Sequence, residues 1–329
     1  MAAQIPAAAV FTPASPMGFW QTYGPRADPV TALNWGFSAL SIAVVVIVTA
    51  LVVAGVATRA HRGAAPMADL PVVRGPGGMR WIYIGTALTL VALVGSLAWT
   101  VAVLAAVNSP ASKPALTLEV TGHQWWWEVT YEGDPGESFT TANEIHIPVG
   151  QPVLVKLKGA DVIHSFWVPA LTGKTDTIPG RTNVAWLQAD RPGVYRGQCV
   201  EYCGVQHAHM ALFVRADPPA EFRAWRDGQL RPAPAPATAQ AGAGEQVFVS
   251  RCGACHTVRG SDAGGAAGPD LTHLMTRTTL AAGTLPNTVG ALLGWIEDPQ
   301  SVKPGARMPP TYVPPPQLAE LSAYLETLK

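Results

Sequence analysis

Charged residues are scarce in this chain. Asp, Glu, Lys and Arg make up 13% of its 329 residues, about half the ~25% usual for globular chains, and 22 acids offset 22 bases. Zero net charge excludes the basic footprint expected of a nucleic-acid binder. There is no internal repeat, which sets aside solenoid and propeller architectures. The first 18 residues lack the basic start and apolar core of a cleaved secretory signal, so residues 1–28 read as a short tail. Cysteine is rare as well: four residues in two close pairs, Cys199/Cys203 and Cys252/Cys255. Pairs so spaced are either disulfides or cofactor anchors.

The scarcity of charge is concentrated in two stretches. None occurs from Pro29 to Thr58, where LSIAVVVIVTALVVAGVA is almost wholly apolar, or from Trp81 to Ser112, built around TALTLVALVGSLAWTVAVLAAV. A spanning helix needs roughly 20 apolar residues, and both stretches are apolar all round, unlike the one-faced helices of soluble proteins. A transmembrane hairpin is therefore expected over 29–112, with helices at about 34–57 and 81–107. The loop between them carries Arg59, Arg62, Arg74 and Arg80 against one acid, Asp69. Positive loops stay cytoplasmic. The tail and everything after Pro110 should then lie on the other side of the lipid bilayer, which is the periplasmic side of a bacterial inner membrane.

After the hairpin the pattern changes. Short alternating runs (LTLEVTG, WWWEVTY, EIHIPV, PVLVKLKG, NVAWLQA, ALFVRA) are separated by Gly, Pro and Asp, and predict a Greek-key β-sandwich or barrel over 113–230. PAEFRAWRDGQ reads as a brief helix at its end. Residues 231–241 open a Pro/Ala-rich linker stiffened by polyproline II structure. Residues 242–329 read as a small all-α domain ending in PPQLAELSAYLETLK.

CGACH, Cys252 to His256, has the spacing of c-type haem attachment. In that reading both thiols form thioethers with the haem and His256 takes one axial position. Met308, in the irregular loop KPGARMPP, suits the other, whereas Met275 in LTHLMTRTT reads as a packed helical residue and His273 as a weaker competitor. His/Met ligation raises the haem potential. GPDL, Gly268 to Leu271, resembles the segment of class I cytochromes c whose Pro carbonyl hydrogen-bonds the proximal His, which gives Pro269 that role.

CVEYCGVQHAHM, Cys199 to Met210, admits a disulfide, a zinc clip or copper. Taken alone, Cys-x-x-x-Cys in an oxidising compartment favours a disulfide. His207 and Met210 at fixed offsets, with His164 upstream in DVIHSFWVP, shift the reading to metal. Zinc does not call for the thioether, and one blue copper needs only one Cys, two His and a weak axial ligand. Two thiolates and two imidazoles suit two coppers bridged by both sulfurs.

The motif C-x-E-x-C-G-x-x-H-x-x-M, with GHQWWWEVTY and KTDTIPGRTN, resembles subunit two of haem–copper cytochrome c oxidases, whose cupredoxin-like domain holds dinuclear CuA. With CGACH appended, the chain resembles the fused form carrying a C-terminal cytochrome c domain. The resemblance implies His164, Cys199, Cys203, His207 and Met210 as copper ligands, together with the backbone carbonyl of Glu201. The Glu201 carboxylate would face a Mg2+ at the catalytic subunit. It implies Trp125 as the aromatic where electrons arrive, with Trp126 in place of the usual Tyr, and Lys174, Asp176 and Arg181 in a loop docking on subunit one. Trp127 reads as core, and His123, His146 and His209 have no assigned role. One departure stands out: GGMRWIYIGTAL has no Glu at the start of the second helix, where many members place one at the mouth of a proton channel.

By this resemblance the chain is an electron-input subunit. Soluble cytochrome c or a quinol-oxidising complex would reduce the c-type haem, and electrons would pass through CuA to subunit one, which, beside subunit three, reduces O2 to water with proton translocation. The alternatives are a subunit of a nitric oxide reductase-like enzyme and a membrane-anchored electron carrier with no catalytic partner.

Overall fold

The computed structural model describes residues 11–61 and 78–329. Two long helices come first, α1 (Asp28–His61) and α2 (Gly78–Asn108). Both are long and apolar enough to cross a membrane. They overrun the boundaries expected from hydropathy alone, 34–57 and 81–107, because helical hydrogen bonding continues into the polar flanks. At the start, Asp28 and Pro29 suit a helix N-terminus. The edge of Trp99 meets Phe37 at 6.1 Å between ring centroids, joining the two helices. Arg62, Asp69 and Arg74, which carry much of the orientation reading, lie outside the described residues. Pro29–Ser109 form one compact unit, and the preceding tail with Pro110–Lys329 forms another.

The tail is packed against the β domain. Val194 N donates to Phe11 O at 2.8 Å and Tyr23 N to Ala170 O at 2.8 Å. The Arg191 guanidinium covers the rings of Phe11 and Tyr23 at 3.4 and 4.2 Å, a cation–π clamp. Both flanks of the helical hairpin therefore belong to one folded body, as they must if both leave the membrane on the same side.

That body begins with β1 (Leu116–His123), β2 (Trp126–Tyr131), β3 (Phe139–Ala142), β4 (Glu144–Pro148), β5 (Val153–Gly159), β6 (His164–Trp167), β7 (Thr175–Thr177), β8 (Asn183–Leu187), β9 (Gly193–Cys199) and β10 (Ala211–Asp217). They form two five-stranded sheets, ordered β3-β2-β1-β5-β8 and β4-β10-β9-β6-β7. Parallel pairing of β1 with β5 and of β4 with β10 marks the crossovers of a cupredoxin-like sandwich. Alternate residues point inward, and Val120, Trp127, Val129, Val155, Phe166 and Tyr195 join one buried core. The helix α3 (Pro219–Gln229) closes this domain.

The last domain contains α4 (Ala239–Arg251), α5 (Val289–Glu297), α6 (Pro299–Val302) and α7 (Pro315–Leu325), with a two-residue ladder of β11 (Thr279–Leu280) and β12 (Leu285–Pro286). Its core gathers Phe248, Leu292, Ile296, Leu321 and Tyr324. The linker read over 231–241 is shorter than expected. Thr238 caps α4 by accepting from Ala241 N at 3.1 Å, and the Ala-rich stretch that follows is helical because alanine has the highest helix propensity. Nor does the linker hang free: Ala233 N bonds Arg259 O at 2.8 Å, and Arg231 O meets His273 Nε2 at 3.0 Å. Met275 lies on a single 3-10 turn, Leu274–Thr276, instead of a helix.

Candidate metal and haem sites

Two neighbouring strands and one pinned loop bring the soft donors together. His164 opens β6 and Cys199 closes β9, strands paired with Phe166 opposite Cys199. The loop from Cys199 to Met210 joins the antiparallel strands β9 and β10. Cys199 N bonds Met210 O across its neck at 3.0 Å. Trp125 Nε1 donates to Cys203 O at 3.0 Å and Trp127 Nε1 to Met210 O at 3.4 Å, so the aromatic run of β2 supports the loop from beneath.

The two sulfurs stand 3.8 Å apart and both cysteines are free thiols, far from the ~2.05 Å of a disulfide. Each sulfur faces one imidazole: His164 Nδ1 lies 3.9 Å from Cys199 Sγ and His207 Nδ1 lies 3.5 Å from Cys203 Sγ. Met210 Sδ is 3.9 Å from Cys203 Sγ, and the Glu201 carbonyl oxygen is 3.3 Å from Cys199 Sγ. Among the described residues, the ligand atoms of His164, Cys199 and Cys203 lie within 4.8 Å of one another, close enough to hold a metal ion. His164 and Met210 are wholly buried and the two cysteines nearly so. Two thiolates, two imidazoles, a thioether and a carbonyl form a donor set that fits a sulfur-bridged copper pair.

The donors are linked electrostatically. The hydrogen bond from Cys203 is the main influence lowering the Cys199 pKa, and the same contact raises that of Cys203. Cys199 is thus the more acidic thiol of the pair. Burial disfavours the His164 imidazolium, but contacts with Cys199 and Asp161 outweigh it and raise the pKa. Asp161 Oδ1 accepts from His164 Nε2 at 2.8 Å, which leaves Nδ1 directed at the sulfurs. A carboxylate behind a metal-binding imidazole fixes its tautomer. The sequence signal for Asp161 is its place in D-x-x-H, three residues before His164 at the mouth of β6.

Other expected residues have different surroundings. The Glu201 carboxylate, expected at Mg2+, sits 3.7 Å from Lys174 Nζ, which is also 3.7 Å from Asp176; Arg181 is exposed. Trp126 stacks on His123 at 4.4 Å. Trp127 is buried core, and Trp125 is also buried, with 8% of its surface exposed. His146 binds Asp217 at 2.6 Å and stacks on Trp225, while His209 bonds Gln206 at 2.7 Å.

In the last domain, Cys252 caps α4, and Cys255 N and His256 N both turn back to Cys252 O at 3.0 Å. His256 Nδ1 meets Pro269 O at 2.8 Å, so its Nε2 lone pair is available for iron. Burial lowers the His256 pKa, and the Pro269 bond only partly opposes this, which favours the neutral, ligating ring. Gly268 packs so close that a Cβ there would stand 2.6 Å from His256 Cε1. Two thiols and an imidazole on one turn fit a covalent haem. Gln300 Nε2 holds the Met308 loop by donating to Ala306 O and Met308 O at 2.8 and 3.0 Å. His273 faces the carbonyls of Lys329 and Arg231, leaving no free nitrogen for iron.

Lys303 was not singled out by sequence reading. Its Nζ lies 2.6 Å from Trp125 O and 3.1 Å from Ala281 O, and burial pushes its pKa down to about 7.

Residues 132–217 match the family described as cytochrome c oxidase subunit II, periplasmic domain, and residues 241–329 match cytochrome c. Cytochrome c oxidase subunit 2 of Alkalihalophilus pseudofirmus is 44% identical over 64% of this chain, and the match spans 61% of that relative's length. The subunit 2 of Bacillus sp. strain PS3 is 33% identical over 76% of this chain and 73% of its own. Among solved structures, the periplasmic domain of subunit II of cytochrome oxidase from Bradyrhizobium japonicum is 36% identical, covering 36% of this chain and 96% of that one with a TM-score of 0.34. These matches cover both the sandwich and the C-terminal domain, and the chain belongs to the cytochrome c oxidase subunit 2 family, in a form that carries a cytochrome c domain at its C-terminus.

Proposed function

We propose that this chain is the electron-input subunit of a haem–copper terminal oxidase in a bacterial inner membrane, with both folded domains on the periplasmic side. It takes electrons from soluble cytochrome c or a quinol-oxidising complex and serves a catalytic subunit, beside a subunit three, that reduces O2 to water coupled to proton translocation. The observation that carries this reading is the gathering of His164, Cys199, Cys203, His207 and Met210 in the same chain as a Cys-x-x-Cys-His turn.

In this reading His164, Cys199, Cys203, His207, Met210 and the Glu201 carbonyl hold two coppers. Cys252 and Cys255 would hold a haem covalently, and His256 and Met308 would serve as its ligands. When bound, these groups supply one-electron carriers; sharing one electron over two metals keeps reorganisation small. The protein's own residues do the positioning. Asp161 orients His164, Pro269 orients His256, and Trp125 and Trp127 brace the copper loop. The buried thiols exclude water from the cluster. The Glu201 carboxylate lies 3.7 Å from Lys174 Nζ, and a Mg2+ at the face toward the catalytic subunit would compete with that lysine for it.

Purification in mild detergent tests the assignment. A co-purifying haem-bearing subunit with O2 consumption supports it. Consumption of NO instead of O2 indicates a nitric oxide reductase-like enzyme, and isolation of the chain alone indicates a free-standing carrier.

A further inference from the structure

The copper and haem domains meet along a seam crossed by several charged groups: Arg259 reaches the carbonyls of Gln229 and Leu230, Arg277 reaches Thr141 Oγ1, and Lys303, Glu144 and Arg307 cross as well. Lys303, 3% exposed, reaches out of the haem domain to Trp125 O while also holding Ala281 O of its own domain. Glu144 crosses in the other direction: its Oε1 accepts from Thr278 N and Thr278 Oγ1 at 2.6 Å and from Thr279 N at 3.1 Å. Arg307, the residue before Met308, reaches Asp161 at 3.3 Å. Two neutral bonds join them, Gln206 Nε2 to Pro304 O at 2.8 Å and Ala211 N to Ala282 O at 3.0 Å.

These contacts differ in weight. Arg307 is 65% exposed, so solvent and salt screen its pair. Lys303 is sealed in. A buried ammonium is tolerated only where its donors are satisfied, and its removal takes the partner from Trp125 O, whereas Ala281 O keeps its bond from Thr284 Oγ1 at 2.8 Å. With one carbonyl on each side of the seam, the Lys303 bonds are satisfied in a single register of the two domains. That register lays the loop from Lys303 to Met308 over Trp125. Gly305, at φ 85°, brings its backbone against the indole; a Cβ there would stand 3.5 Å from the ring and 3.3 Å from Val205. The indole beneath donates to Cys203 O.

We infer that Lys303 is a positioning residue, an intramolecular latch that seats the Met308 loop on Trp125 and closes that face to a separate donor protein. Donors then meet this chain only at its own haem domain. The inference rests on the electron-input reading, but the latch is read from protein contacts alone and is tested apart from it.

Hydroxyl-radical footprinting of the full-length chain in detergent, resolved to single residues by fragmentation, is the test. Lys303→Met is expected to raise oxidation of Trp125 about fivefold, while Trp127, fully buried in the copper-domain core, stays at the wild-type level. Arg307→Ala is expected to raise it about twofold. Unchanged protection of Trp125 in both variants overturns the latch. If Trp127 rises together with Trp125 in Lys303→Met, that variant has opened the domain and Arg307→Ala decides: a twofold rise supports the latch and no rise overturns it. Copper and haem spectra of the same samples keep the two claims separate. Their absence from a wild-type chain with Trp125 protected sinks the functional reading and leaves the latch standing; their presence with Trp125 freely oxidised does the reverse.

Discussion

The two redox sites are built in opposite ways. In the copper domain the donors converge on strands: His164 on β6 and Cys199 on β9 are held by sheet pairing, and Asp161, Trp125 and Trp127 fix the loop from outside. His164, Cys199, Cys203 and Met210 are buried, and His207 is partly exposed. In the haem domain the thiols are more open, with Cys252 partly buried and Cys255 exposed, and only His256 has a fixed hydrogen-bonded orientation. Met308 is held through its backbone by Gln300. A small metal cluster can be preformed by a sheet. A haem is large enough to be part of its own domain's core, so the chain supplies anchors and the group completes the packing.

That contrast can be broken or sharpened by substitution. The largest effect is expected for Cys199→Ser, which should abolish the dinuclear copper EPR signal while leaving the c-haem absorption band intact; loss of both would mean the sites are not independently built. Next is Met308→Ala, which should let the haem bind carbon monoxide or added imidazole, read by optical titration, whereas Met275→Ala should not. The reverse result would exchange the two methionines. Asp161→Asn should lower copper affinity by about 10- to 100-fold, measured by competition with a chelator; wild-type affinity would remove Asp161 as the orienting group.

The smallest effect concerns acid. Burial raises the Asp217 pKa, but the bonds from His146 and Arg215 outweigh it and leave it lowered. A carboxylate whose folded pKa is depressed contributes stability above its unfolded pKa and loses it as pH falls through the folded one. The copper domain should therefore lose thermal stability below about pH 4, and Asp217→Asn should flatten that slope. An unchanged slope would exclude Asp217 as its source.

How much of this was legible in the sequence follows from locality. The clustering of candidate donors from Cys199 to Met210 was legible because five of them fall within twelve residues and chemistry restricts what they can bind. The haem turn was legible for the same reason, and six strands showed their period-2 pattern. β3, β6 and β7 were not, being only four, four and three residues long, too short for a pattern, and neither was β9, whose inward positions include Gly193 and Gly197 and so carry little apolar signal. The end of the linker was misread because Ala-rich segments suit both a spacer and a helix, and only the Thr238 cap decides. Lys303 and Glu144 were invisible, since their partners lie 178 and 134 residues away and are mostly backbone groups, which carry no residue code.

The most direct measurement is EPR with metal analysis on the oxidised, full-length chain. The account predicts a copper hyperfine pattern from one electron shared by two equivalent metals, with about two coppers per covalent haem. A mononuclear copper spectrum, or a copper-free chain whose Cys199 and Cys203 peptides are found disulfide-linked by mass spectrometry, would contradict it.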